Sequence, residues 1–129
     1  MEGIAVNSKH SERRRYRRVY FAKKEGIAAQ LRFLNAENMI FRAQVADLGE
    51  GGMGFLFHRE LKATIQPGTR LVLQEIAGSQ VMAFLHNSTL QIRWILDTGV
   101  LTHVCFGCMF ENLEESKRSK IRDYVAIWS

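Results

Sequence analysis

Ile27-Ala28-Ala29-Gln30-Leu31-Arg32-Phe33-Leu34, then Met39-Ile40-Phe41-Arg42-Ala43-Gln44-Val45-Ala46, then Met53-Gly54-Phe55-Leu56-Phe57-His58: three apolar-rich runs follow one another at short intervals. The breaks between them are Asn35-Ala36-Glu37-Asn38 and Asp47-Leu48-Gly49-Glu50-Gly51-Gly52. Short apolar runs bounded by Gly, Asn and Asp read as consecutive antiparallel strands joined by turns. In the third run Met53, Phe55 and Phe57 share one face, because side chains alternate along a strand. Three glycines within 49–52 allow backbone angles that other residues resist, so 47–52 is predicted to turn the chain.

The pattern continues outward toward the C-terminus. A loop around Gln66-Pro67-Gly68-Thr69 leads into a strand from Arg70 to Ile76, and Ala77-Gly78-Ser79-Gln80 turns the chain back. Thr89 to Leu96 alternates, which puts Leu90, Ile92, Trp94 and Leu96 on one face. Asp97-Thr98-Gly99 reads as a hairpin turn and Val100 to Phe110 as the last long strand. Many short strands with Gly-rich turns indicate a sandwich or a barrel. The C-terminus differs. Ile121, Tyr124, Val125 and Trp128 recur at helical spacing, Asn112 suits an N-cap with Glu115 as its capping-box partner, and 113–127 is predicted to be one amphipathic helix closing the barrel. The expected class is all-β with a terminal helix.

Bulk properties narrow the function. The 129 residues suit one domain, with 1–11 expected to be a flexible lead-in and 12–129 a single folded unit. The longest apolar stretches, such as Val81-Met82-Ala83-Phe84-Leu85, are too short to cross a bilayer, and Met1 to His10 lacks the pattern of a signal peptide. A cytoplasmic protein with no membrane span is expected. Cys105 and Cys108 have the C-x-x-C spacing of redox or zinc sites, yet three residues apart on a strand they point to opposite faces, so they are read as buried structural thiols. The four histidines are scattered without metal-ligand spacing, and no nucleophile elbow or carboxylate pair stands out. Neither catalysis, nor a cofactor, nor a metal is expected.

Charge is informative once located. Residues 1–24 hold eight Lys/Arg and two Glu, whereas 25–129 hold ten Lys/Arg against eleven Asp/Glu. A basic arm on a nearly neutral body suggests an anionic partner, the plain alternative being a solvated tail. Arg13, Arg14, Arg15, Arg17 and Arg18 crowd six positions around Tyr16. Guanidinium forks pair with phosphate oxygens and with the O6/N7 edge of guanine. If 27–34 and 39–46 pair as a hairpin, Asp47 returns beside the end of the sheet that the arginines enter. The Gly49–Gly52 turn would then aim N–H groups at the same place as an anion-binding nest. Together these make a pocket for a phosphorylated guanine ligand.

Arg14-x-x-x-Arg18, followed by Val19, resembles the R-x-x-x-R motif of PilZ domains, and Asp47-x-Gly49-x-x-Gly52 resembles their (D/N)-x-S-x-x-G motif. The resemblance spans roughly residues 12–127. It implies a six-stranded antiparallel β-barrel closed by a C-terminal α-helix, which binds the second messenger cyclic di-GMP without catalysis. On that resemblance Arg14 and Arg18 take guanine edges and phosphates, with Arg13 auxiliary. Asp47 holds a guanine or positions an arginine, and Gly52 keeps the shape of the turn. Gly49 stands where the family usually has serine, a lost hydroxyl worth about 0.5–1.5 kcal/mol of binding. Trp94 is either core or a stacking platform for guanine.

The expected role is an effector that couples cyclic di-GMP to a protein partner in motility, pilus or biofilm control. The alternative is a degenerate PilZ-like interaction module that has lost the nucleotide. A DNA- or RNA-binding barrel is disfavoured, since a groove binder spreads Lys/Arg along a face rather than confining them to an arm.

Overall fold

The computed structural model describes residues 17–60, 65–97 and 102–129. Seven strands and one α-helix follow in order: β1 (Arg18–Tyr20), β2 (Ala28–Phe33), β3 (Ala36–Gly49), β4 (Gly52–His58), β5 (Arg70–Ala77), β6 (Ser88–Leu96), β7 (His103–Glu111) and α1 (Glu115–Trp128). All strand pairs are antiparallel, and the order is β1-β3-β2-β5-β6-β7-β4 with β4 returning to β3. Strands β2 to β7 therefore close a six-stranded barrel, and β1 is an extra strand laid against β3.

The length of β3, 14 residues, makes this closure possible. Its first part pairs with β2, as far as Gln44 opposite Ala28. Its last part lies between β4, with Leu48 opposite Met53, and β1, with Leu48 opposite Val19. The register slips between Val45 and Asp47 on the β4 side, a bulge of the kind that bends a strand at a barrel corner.

Inward-facing residues fill the barrel. Phe55 and Phe106 stack at 5.1 Å, Phe57 meets Phe106 edge-on at 5.1 Å, and Phe41 lies 5.9 Å from Phe57. Leu31, Leu48, Leu71, Leu73, Leu90 and Ile92 are wholly buried around these rings. Burying each such side chain contributes roughly 1.5–3 kcal/mol, so this apolar cluster is the main stabiliser of the barrel.

Several expectations change. The turn predicted over 47–52 is shorter: Asp47, Leu48 and Gly49 continue β3 and Gly52 opens β4, leaving Glu50 and Gly51 to turn. Asn112 is no N-cap, because it has φ +55° and lies before the helix; Glu114 holds the extended N-cap conformation without a side-chain cap. On α1, Ile121 and Val125 are buried and Tyr124 packs 6.4 Å from Phe21, whereas Trp128 is exposed. Cys105 and Cys108 do face opposite ways, but only Cys108 is buried; Cys105 is half-buried on the outer face. The turn read over 97–99 lies mostly outside the described residues, as do the lead-in and Arg13 and Arg14.

Candidate functional site

The outer face of the barrel carries a shelf built from the partners of Asp47. Asp47 stands opposite Gly54 on β4, Gly54 opposite Gly107 on β7, and Gly107 opposite Trp94 on β6. Four adjacent strands thus present acid, glycine, glycine and indole in one row. With neighbouring strands about 4.8 Å apart, the row spans roughly 14 Å. A Cβ on Gly54 would collide with the Asp47 carboxylate, and one on Gly107 would enter the Trp94 ring. The two glycines therefore make room for the Asp47 carboxylate and the Trp94 indole, which lie close over the backbone in the middle of the row.

At the acidic end, β1 delivers Arg18. It pairs with Gly49 across the β1–β3 ladder, one residue pair beyond Val19 and Leu48. Its Nη1 donates to Asp47 Oδ1 in an ion pair with both side chains largely shielded from water. An arginine and an aspartate 29 positions apart are thus side by side, as the predicted hairpin required. Gly49 makes this approach possible, since a Cβ there would stand 2.9 Å from the Arg17 carbonyl oxygen and 3.0 Å from Arg18 Cγ. Gly52 serves the other side, where a Cβ would strike the carbonyl oxygen of Cys108.

The expected nest is absent. Among the described glycines only Gly26, Gly68 and Gly78 have positive φ, so Gly49, Gly51 and Gly52 do not supply the left-handed step a nest needs. Gly49 and Gly52 are required for close strand approach and not for unusual angles.

At the aromatic end the reading of Trp94 as core is corrected. The β6–β7 register slips between Ile92 and Trp94, and the bulge turns Trp94 out of the barrel while Leu90 and Ile92 stay in. Its side chain is left 46% exposed above Gly107. Leu96 is exposed as well. Cys105 lies beside the shelf on β7, and burial together with the nearby Asp47 charge pushes its thiol pKa up.

Glu50 and Arg122 also hold the site in place, and no sequence pattern marks either of them. Glu50, one of two buried polar residues among those described, receives Arg122 of α1 through Nε at 3.2 Å and Nη2 at 2.7 Å. Gly51 accepts the Phe110 N–H at 3.0 Å. The turn that follows the Asp47 segment is thereby pinned to both the helix and β7. No group of three metal-ligating side chains occurs among the described residues, and no helix among them is long and apolar enough to cross a membrane.

Residues 12–126 match the family model described as PilZ domain. The chain belongs to the PilZ family. Solved structures agree on the fold of this PilZ domain. It resembles the PilZ domain with c-di-GMP of YcgR from Escherichia coli, at 21% identity and TM-score 0.69, over 90% of this chain and 91% of that one. It resembles the Bacillus subtilis inhibitor of motility MotI/DgrA at 15% identity and TM-score 0.62, covering 89% of this chain and 50% of that one. It also resembles the K. pneumonia MrkH–c-di-GMP complex at 13% identity and TM-score 0.59, covering 88% and 51%. The chain thus spans about half the length of the last two. No curated protein matches it.

Proposed function

We propose that this PilZ domain is a non-catalytic, cytoplasmic receptor for cyclic di-GMP that passes ligand occupancy to a protein partner. The observation that carries the reading is the shelf: an arginine–aspartate pair and an outward indole, seated over two glycines of adjacent strands. A purine is flat, and the half-exposed indole offers it a flat face. Arg18 offers a fork for guanine O6/N7 or a phosphate, and Asp47 either accepts from the guanine edge or holds Arg18 in line. Trp94 stacks on the base. Arg13 and Arg14 supply further phosphate and guanine contacts from the arm, and Gly49 and Gly52 keep β1 and β7 close enough for the groups to meet. The YcgR domain and the MrkH complex, both with c-di-GMP, have the same fold, which supports the ligand class.

The alternative, an interaction module without nucleotide, draws on Gly49, which lacks the hydroxyl usual at that position. Nucleotide selectivity separates the two. Cyclic di-GMP and cyclic di-AMP are titrated into the wild-type protein and Asp47→Ala. Guanine readout predicts preference for cyclic di-GMP and a loss of about 1–3 kcal/mol in the variant. Equal binding of both nucleotides by both proteins would reduce the arginines to a generic anion patch.

A further inference from the structure

A second cationic cluster lies lower on the same outer face. Leu56 follows Gly54 by two residues on β4 and His58 follows Leu56 by two, so His58 sits roughly 13 Å below the shelf. There a groove of about 390 Å³ opens between the strands and the 3-10 turn Lys23–Glu25. Lys23 comes from that turn, Arg42 from β3, His58 from β4 and His103 from β7. The groove exists because the chain between β1 and β2 is tied to β3, by Phe21 N–H to Ala46 O at 2.9 Å and Val45 N–H to Ile27 O at 2.8 Å. Those bonds hold Lys23 over the sheet.

All four donors line this one groove. His58 and His103 stand directly opposite each other, with rings 5.6 Å apart and edge to face. The Glu60 N–H donates to His58 Nδ1 at 3.4 Å, and Thr102 Oγ1 lies 3.0 Å from His103 Nδ1. A ring whose Nδ1 accepts carries its N–H on Nε2, a donor to an anion. Arg42 is exposed on β3. Glu60 approaches His58 at 3.9 Å from an 85% exposed side chain, and among the described residues no carboxylate lines the groove. A cation is disfavoured: two imidazoles fall short of a ligand set, and Lys23 and Arg42 repel it.

We propose that Lys23, Arg42, His58 and His103 form an anion subsite for inorganic phosphate or a phosphate monoester, separate from the shelf and independent of the ligand proposed there. A compact tetrahedral anion satisfies a guanidinium fork, an ammonium and two ring N–H donors at once.

The test is an NMR titration of the whole protein with inorganic phosphate, exchanged for chloride at constant ionic strength. Amide resonances of Arg42 and Lys23 and ring resonances of His58 and His103 are expected to shift and saturate, and glycerol 3-phosphate to reproduce the shifts. Arg42→Ala, at an exposed position, is expected to keep the fold and weaken binding about tenfold, in line with the loss of a charge-assisted pair. Arg18→Ala is expected to leave the titration unchanged. Non-saturating shifts, saturation equal in Arg42→Ala and wild type, or loss of the shifts in Arg18→Ala would each overturn the proposal.

Discussion

Asp47 meets Arg18 on one side and the bare backbone of Gly54 on the other, so single atoms decide the shape of the shelf. Adding a methyl group tests this directly. In Gly52→Ala the new carbon strikes a backbone carbonyl on β7 that cannot swing aside. Overpacking of this kind costs about 1–3 kcal/mol, which urea unfolding is expected to register. In Gly107→Ala the carbon strikes the Trp94 indole, which is partly exposed and free to rotate away. The fold is expected to survive, tryptophan emission to shift red, and cyclic di-GMP affinity to fall by about 1–3 kcal/mol through lost stacking. Unchanged affinity would remove Trp94 from the site. At this scale the sequence was half legible. The arginine spacing and Asp47 pointed to one end of one hairpin, and Arg18 and Asp47 do meet there. Gly54 and Gly107 went unread, although glycine inside a strand run signals close approach. Gly49 and Gly52 suggest backbone freedom in the sequence, while their neighbours show that the missing Cβ is what matters.

The elements follow from period and punctuation where those signals are unambiguous. Strands β4, β5 and β6 begin and end within a residue of their expected limits, because alternation and turn residues agree there. No sequence pattern marks β1 as a strand: it has three residues, inside an arginine-rich run, and exists through its pairing with β3. The bulge in β6 was equally hidden, since Leu90, Ile92, Trp94 and Leu96 keep a perfect two-residue period through the slip. Asn112 suited a cap by composition but adopts a left-handed backbone. The helix is held to the site by Glu50 and Arg122. Removing Arg122 leaves the shielded Glu50 carboxylate without its fork. Arg122→Ala is therefore expected to speed amide hydrogen exchange in α1 and at Glu50–Gly51, with partial rescue in Arg122→Lys. Protection equal to wild type would show that the fork does not hold the helix.

For the molecule as a whole, closure of the barrel puts Cys108 in the core, where burial pushes its thiol pKa far up, while Cys105 stays on the outer face. In the unfolded chain a thiol ionises near about 8.5. The folded state keeps Cys108 neutral, so its contribution to stability is intact below that pH. Above it, the unfolded state loses the proton first, and stability is expected to fall by up to about 1.4 kcal/mol per pH unit in urea unfolding. Cys108→Ser is expected to flatten that slope. A disulfide-exchange reagent near neutral pH is expected to modify Cys105 slowly and Cys108 only after unfolding.

The whole-molecule charge pattern, a basic arm on a near-neutral body, gave the sequence its clearest functional direction. The barrel then converts that direction into a place, because β3 is long enough to close the sheet and still receive β1. The shelf between Arg18–Asp47 and Trp94 is expected to take cyclic di-GMP. Calorimetric titration of the wild-type protein at moderate salt measures this most directly. A saturable heat of binding is expected, which Arg18→Ala largely abolishes through loss of charge-assisted bonds worth about 1.5–3 kcal/mol each. No heat at millimolar ligand, with no shifted resonances at Arg18, Asp47 or Trp94, would contradict it.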